Sequence, residues 1–329
     1  MRIRSLMLML AVISSVVTAA GGEWQKRDSG VLAWLYTVEF LDAERGFAAG
    51  SNGTVLATLD GGATWQKLHV PSSDTIRDVH FVDRLNGWML CDRGRAVSGK
   101  NPAYLMRTID GGKTWSVVEL ANSRERFSRM FFASDGAFLV GEGGVILGLP
   151  EVGKSEARHL LPVKFRMLDG VIVGGSRMIL VGGGGTLIFS DDNGRSWQNP
   201  AFPLSGPAQK LNSVFFADSA NGWAAGAGGM IFFSGDGGRS WGPQASGTEA
   251  EFLDVGFYDP ANGFAVGEGG IVLGTSNRGV TWTAEKSGTR HRLERIAFAG
   301  KRPVAVGFGG TIITAGPPVR QYMQGREQQ

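Results

Sequence analysis

Four aspartates in near-identical surroundings are the first candidates for chemistry. Asp60, Asp110, Asp192 and Asp236 sit in TLDGGATW (58–65), TIDGGKTW (108–115), SDDNGRSW (190–197) and SGDGGRSW (234–241); Asn277 takes the same place in TSNRGVTW (275–282). Two carboxylates flanking one glycosidic bond can hydrolyse it, one as acid and one as base or nucleophile. Each of these, however, is embedded in its own octet, Ser/Thr-x-Asp/Asn-x-Gly-x-Ser/Thr-Trp. In such an octet the Asp and the first Ser/Thr can accept backbone N–H bonds of a tight turn, and the Gly supplies a positive φ. The Trp then takes a large apolar ring into the neighbouring structure, with its N–H available to a carbonyl. Copies spread along the chain cannot converge on one bond. Asp60, Trp65, Asp110, Trp115, Asp192, Trp197, Asp236, Trp241, Asn277 and Trp282 are therefore expected to be structural, and no catalytic residue is assigned.

Other reactive groups are sparse. His69, His80, His159 and His291 lack ligand spacing and Cys91 is the only cysteine, so neither a metal, a cofactor nor an internal disulfide is expected. The pairs Gly143-Gly144, Gly228-Gly229, Gly269-Gly270 and Gly309-Gly310 open no helix, as a phosphate loop would require, and read as turns between strands.

The elements that must hold the octets follow from their spacing. Successive tryptophans from Trp24 through Trp65, Trp115, Trp197, Trp241 and Trp282 are 41, 50, 82, 44 and 41 residues apart, and the interval of 82 is two periods with one octet missing. A period of about 40–45 residues with short alternating strands is that of a β-propeller blade. The reading is all-β: a propeller of seven four-stranded blades. Blades begin near Tyr36, Ile76, Phe127, Phe165, Leu211, Phe252 and Leu293. An insertion over 91–103 lengthens blade two, and an irregular outer strand is expected over 150–159, where the octet is missing. The last blade stops after Thr314 without a fourth strand, while the segment around Trp24 is a fourth strand without a blade, so the N-terminal strand should complete the last blade and close the ring.

Residues 1–20 carry Arg2 and Arg4, an apolar run and Thr18-Ala19-Ala20, the pattern of a secretory signal cleaved near Ala20. The propeller is assigned to 21–316 and a disordered tail to 317–329. Export to the periplasm, or to an equivalent thylakoid lumen, is expected, with the chain a monomer and peripheral to the membrane at most. A net charge of +3 is too mild to imply nucleic acid. The placement of cations is more informative. In a propeller the loops entering the inner strands share a face with the turns between strands two and three, and the octets lie opposite. Arg77, Arg93, Arg95, Arg124, Arg126, Lys164, Arg166, Lys210, Arg290 and Arg292 fall on the first face. They make it a candidate basic surface for acidic peptide segments or phosphates.

The unit running from Val214 to Trp241, VFFADSANGWAAGAGGMIFFSGDGGRSW, resembles the BNR or Asp-box repeats of the photosystem II stability and assembly factor family. The resemblance spans nearly the whole exported chain and departs at blade three and at the blade-two insertion. It implies an exported, non-enzymatic scaffold in photosynthesis that binds membrane-protein or envelope-complex subunits, and an arginine-rich patch as the binding surface. Two other functions fit the repeats. One is a glycan-active or glycan-binding propeller: sialidases also carry Asp-boxes, but that resemblance calls for an Arg triad, a Tyr nucleophile and an early Arg-Ile-Pro type motif. The last is absent, and Tyr36 and Tyr258 fall in inner strands, where packing is expected. The other is a periplasmic accessory to an envelope export system, which differs only in its partner.

Overall fold

The computed structural model describes residues 23–94, 100–120, 123–133, 136–150, 157–202 and 209–316. The expected leader and tail, and Arg95, lie outside the described residues. Seven antiparallel sheets follow one another along the chain, and each inner strand packs against the inner strands of both neighbours, closing a ring. The inner strands are Leu35–Phe40, Thr75–Phe81, Phe127–Ala133, Met167–Val173, Leu211–Phe216, Phe252–Phe257 and Leu293–Ala299, in blades one to seven. Seven apolar clusters fill the spaces between adjacent sheets, so the core is distributed around the ring.

The N-terminal strand Trp24–Arg27 completes blade seven, pairing antiparallel with Ile312–Ala315 from Trp24 opposite Ala315 to Arg27 opposite Ile312. Trp24 is only 5% exposed. Its ring meets Phe264 of blade six edge-on at 5.5 Å, and its Nε1–H donates to Glu285 Oε2 at 2.6 Å. The terminus thus ties the last two blades together as well as covering an open edge.

The repeat F-x-x-x-x-x-G…W is a packing unit. In blades one, two, five and six the Phe ring ending the inner strand lies on the Gly that starts the second strand. A Cβ at Gly46, Gly87, Gly222 or Gly263 would fall 2.3–2.6 Å from that ring. The octet Trp then meets the same Phe edge-on at 5.8–6.2 Å. Blade four reaches the seven-blade plan differently. Its octet is present, but its fourth strand is reduced to the Phe189–Gln198 bridge. Continuing that register sets Pro200 opposite Leu187, at a position whose partner must donate an N–H, and proline has none. In blade five Pro243 stands opposite Phe232, between hydrogen-bonded pairs, and the strand Gly242–Gln244 survives. Blade three, lacking an octet, nevertheless has a regular outer strand, Ala157–Leu160, paired from Val145 opposite Leu160 to Gly148 opposite Ala157. The irregular strand anticipated there is regular over its described part.

Each octet closes on itself. In blade two, Asp110 Oδ1 accepts from Thr114 N and Thr108 Oγ1 at 2.9 and 2.8 Å, Oδ2 accepts from Thr114 Oγ1, and Gly112 N donates to Thr108 Oγ1. Trp115 Nε1–H donates to Gly112 O at 3.1 Å. Asn277 keeps the same turn, with Oδ1 accepting from Thr281 N and Nδ2 donating to Thr281 Oγ1, both at 2.9 Å. These bonds, led by the Ser/Thr hydroxyl, hold the Asp110 and Asp192 carboxyls down to about 2 from an ordinary 3.8. A depressed carboxyl stabilises the fold fully above its unfolded value and loses that contribution as pH falls through its folded one. Near-ultraviolet circular dichroism is therefore expected to hold down to about pH 4 and to collapse towards pH 2. Asp110→Asn with Asp192→Asn, for which Asn277 shows the geometry, should move the acid midpoint lower; an unmoved midpoint would contradict this account.

Candidate functional site

The two faces of the ring are built by different turns. On one, the octets bond the turns between strands one and two, as Gly111 N does to Leu85 O. On the other, short 3-10 turns between strands two and three, such as Ala227–Gly229, lie against the loops entering inner strands. There Gly229 has φ +71°, and a Cβ on it would come within 1.8 Å of Thr248 O. That contact brings the entry loops close to the axis, and the channel mouth opens among them.

Every inner strand carries a register shift near its start, at the third residue, Arg77, in blade two and at the second in the other six. A bulge re-aims its side chain, and repeated around the ring it makes a collar. Tyr36, Arg77, Ser128, Leu168, Asn212, Leu253 and Glu294 all line one depression of about 320 Å³, together with Trp34, Arg129, Arg166 and Arg292. The residues that follow the bulges, Thr37, Asp78, Arg129, Asp169, Ser213, Asp254 and Arg295, form a second, mostly buried ring.

That second ring solves a problem of inner strands, whose free edges present unpaired N–H groups. Asp78, Asp169 and Asp254 each accept the backbone N–H of the next blade, from Met130, Val214 and Ile296 at 3.1, 3.2 and 2.9 Å. Hydroxyls add bonds, Thr37 to Asp78 at 3.1 Å and Ser213 to Asp254 at 2.6 Å. Arg295 donates to Asp254 at 2.9 Å and, across the channel, to Asp169 at 3.4 Å. Burial works against the Arg295 cation, but Asp254, Asp169 and Asp78 outweigh it and raise its pKa. Burial and the nearby Arg295 charge lower that of Arg129. Beside this ring, His80 Nδ1 lies 2.9 Å from Glu39 Oε1. Burial disfavours the imidazolium, yet the Glu39 bond and charge push its pKa up overall.

The expected basic residues divide into three groups. Arg77, Arg166 and Arg292 converge on the mouth, and Arg126 stands beside them, sharing Asp92 with Arg77. Arg93 is withdrawn: its side chain is 7% exposed, bonded to Glu119 and to Asn101 O and stacked on Tyr104 at 4.0 Å. Arg124, Lys164 and Arg290 are exposed and form no ion pair with a described residue, while Lys210 pairs with Glu251 at 2.7 Å. The sequence reading missed Arg129, the acids Asp92, Glu268 and Glu294 that pair with mouth arginines, and the aromatics Trp34 and Tyr36. For Arg129, Glu294 and Tyr36 the signal was the bulge residue of each inner strand and the one after it, which read Tyr-Thr, Arg-Asp, Ser-Arg, Leu-Asp, Asn-Ser, Leu-Asp and Glu-Arg around the ring.

The mouth offers donors that the protein leaves unused. Arg77 Nε and Arg129 Nε are buried without a hydrogen-bond partner. Arg129 donates one bond, to Arg77 O at 3.1 Å, with Asp169 and Asp78 no nearer than 3.8 and 3.9 Å. Among the described residues Arg166 donates only to Ser128 Oγ, at 2.9 Å. Such forks are shaped for a carboxylate or phosphate. Among the described residues no group of His, Cys, Asp and Glu could hold a metal, and no helix is long and apolar enough to cross a membrane.

Comparison with known proteins gives three kinds of match. The family model described as Photosynthesis system II assembly factor YCF48 matches residues 63–166 and 201–273, more than half of the chain. Photosystem II assembly protein Ycf48 of Synechococcus sp. (strain JA-3-3Ab) is 28% identical over 169 residues, 50% of this chain and 48% of that protein. The match thus spans about half the length of that relative. Among solved structures, YCF48 bound to D1 peptide aligns with TM-score 0.72 and 19% identity over 91% of this chain and 99% of that one. YCF48 from Cyanidioschyzon merolae gives 0.71 and 18% over 90% and 99%. The WD40 propeller domain of Doa1 gives 0.71 at 9% identity over 91% and 97%, so these structural likenesses speak for the fold alone.

Proposed function

Since the chain belongs to the photosystem II assembly factor YCF48 family, we propose that it is a non-enzymatic assembly factor whose channel mouth binds an acidic segment of a membrane-protein partner. The observation that carries this reading is the convergence of the Arg77, Arg129 and Arg166 side chains on one depression, where Arg166 donates to no described residue but Ser128. Arg292, although paired with Glu268 and Glu294, adds a fourth cation to the same depression. Arg124, Arg126, Lys164 and Arg290 extend the basic surface outward, while Arg93 acts structurally. That a relative was solved as YCF48 bound to D1 peptide supports a peptide as the class of ligand. We further propose that the chain works on the exported side of the membrane, periplasm or thylakoid lumen, after cleavage near Ala20; the mass of the mature protein reads that boundary.

A sialidase-like activity has one observation in its favour, Tyr36 lying among arginines at the channel mouth. A tyrosine nucleophile needs an easily ionised phenol. Burial raises the Tyr36 pKa, and Arg77 beside it offsets this only in part. The phenol is also stacked on Trp34 at 5.5 Å.

The test is binding. A labelled decapeptide ending in Glu-Glu with a free carboxylate should bind the full chain at least tenfold more tightly than its Gln-Gln amide, by anisotropy. Arg166→Glu with Arg77→Glu should abolish that preference, whereas Arg195→Glu, on the octet face, should leave it intact. Equal affinity for both peptides, or hydrolysis of a sialoside by the purified protein, would reject the reading.

A further inference from the structure

Between the arginines of blades two and seven the mouth carries aromatic rings. Against Arg77 and Arg292 runs a ladder of rings that leads outward over blades one and seven. The Arg77 guanidinium lies 4.8 Å from the centre of the Tyr36 ring, Tyr36 stacks on Trp34 at 5.5 Å, and Trp34 meets Phe308 edge-on at 5.1 Å. Arg292 stands 5.9 Å from the centre of the Trp34 ring, and His291 flanks Phe308 at 5.6 Å. At the outer end the apolar surface is open: Phe308 is 47% exposed and Leu32 90%.

Nothing in the fold requires this surface. Phe308 opens the 3-10 turn Phe308–Gly310, and the matching turns of blades three to six open with Glu142, Gly183, Ala227 and Glu268. The turn is thus made equally well by an acid, a glycine or an alanine, and only in blade seven does it carry a ring. Trp34, by contrast, is fixed in place, its backbone N–H donating to Ser51 Oγ at 2.9 Å and its Nε1–H to Glu294 Oε1 at 2.7 Å. With its N–H occupied, the half-buried Trp34 ring adds only apolar surface beside the exposed Phe308. A rigid ring with an exposed apolar neighbour, beside the guanidinium groups that line the mouth, is complementary to a ligand with one anionic and one apolar group.

We propose that the segment bound at the mouth is amphipathic: its carboxylate lies between Arg77, Arg129 and Arg166, and an aromatic or large aliphatic side chain lies on Trp34 and Phe308. This rests on the reading of the mouth as a peptide site and adds the second determinant. The ladder also sets the spacing. Steps of 4.8, 5.5 and 5.1 Å separate Arg77, Tyr36, Trp34 and Phe308. An extended peptide, rising about 3.4 Å per residue, crosses them in roughly four to five residues. The apolar residue therefore belongs four or five positions from the acid, and the strand-like ligand runs outward between blades seven and one.

Three synthetic decapeptides measure this on the full chain by isothermal titration: one ending in Glu-Glu with Phe four residues before the acids, one with Ser for that Phe, and one with the Phe adjacent to the acids. The first should bind about tenfold more tightly than either of the others. Phe308→Ser should erase that advantage without weakening the Ser peptide, and Leu32→Ser, at a fully solvated side chain that cannot disturb folding, should reduce it. If all three acidic peptides bind alike, or if Phe308→Ser weakens them equally, the apolar determinant is wrong while the acidic site stands. If none binds, the peptide reading of the mouth falls and this inference falls with it.

Discussion

Arg295→Met is expected to lower the unfolding free energy by about 3–5 kcal/mol, the usual cost of removing one member of a buried, hydrogen-bonded charge cluster. The guanidinium joins Asp254 of the adjacent blade to Asp169 across the channel, and both carboxylates are almost fully buried. Without it, two anions committed to capping Val214 N and Ile296 N remain in the channel, with Arg129 the one cation near them among the described residues. Adding Asp169→Asn and Asp254→Asn to Arg295→Met should recover most of the loss, because an amide oxygen still accepts the strand N–H while the uncompensated charge is gone. Urea titration of the three proteins measures this. A loss below about 1 kcal/mol for the single variant would mean that water enters the channel and screens the ring.

Trp24→Ala should be comparably severe, about 3–5 kcal/mol, as expected for emptying a buried aromatic site. The indole fills space against Phe264 and bonds Glu285, so its removal loosens blade six as well as the closing strand. Deleting residues 23–27 goes further and uncovers the edge of Ile312–Ala315 along its length. An open strand edge templates association, so the truncated protein is expected to sediment as larger assemblies than the intact chain. A truncated chain that stays monomeric and as stable as the parent would show that closure does not depend on this strand.

The octets and the closing strand were legible because they rest on local chemistry. An Asp two residues after a Ser/Thr and four before another makes the same turn wherever it falls, as Asn277 shows by making it without a charge. The repeat of that turn fixes the number of blades, and the missing fourth strand at one end matches the spare strand at the other. Blade four was less legible, since whether Pro200 blocks a strand depends on its register against Leu187, which no local pattern states. Arg93 was misjudged for a related reason. Its position in a loop of the basic face suggested exposure, but Tyr104 and Glu119 of its own blade hold it inward.

The amino-acid order by itself determined that this is a closed seven-bladed ring with structural aspartates and a face rich in cations, because turn chemistry and alternation act over a few residues. Only the tertiary structure decided which cations are usable. Seven bulges, one per inner strand, bring side chains separated by as many as 258 positions in sequence, from Tyr36 to Glu294, around one opening. There the balance of charge is set by distance across the channel: Arg295 is consumed by two carboxylates, whereas Arg77, Arg129 and Arg166 keep donors to spare.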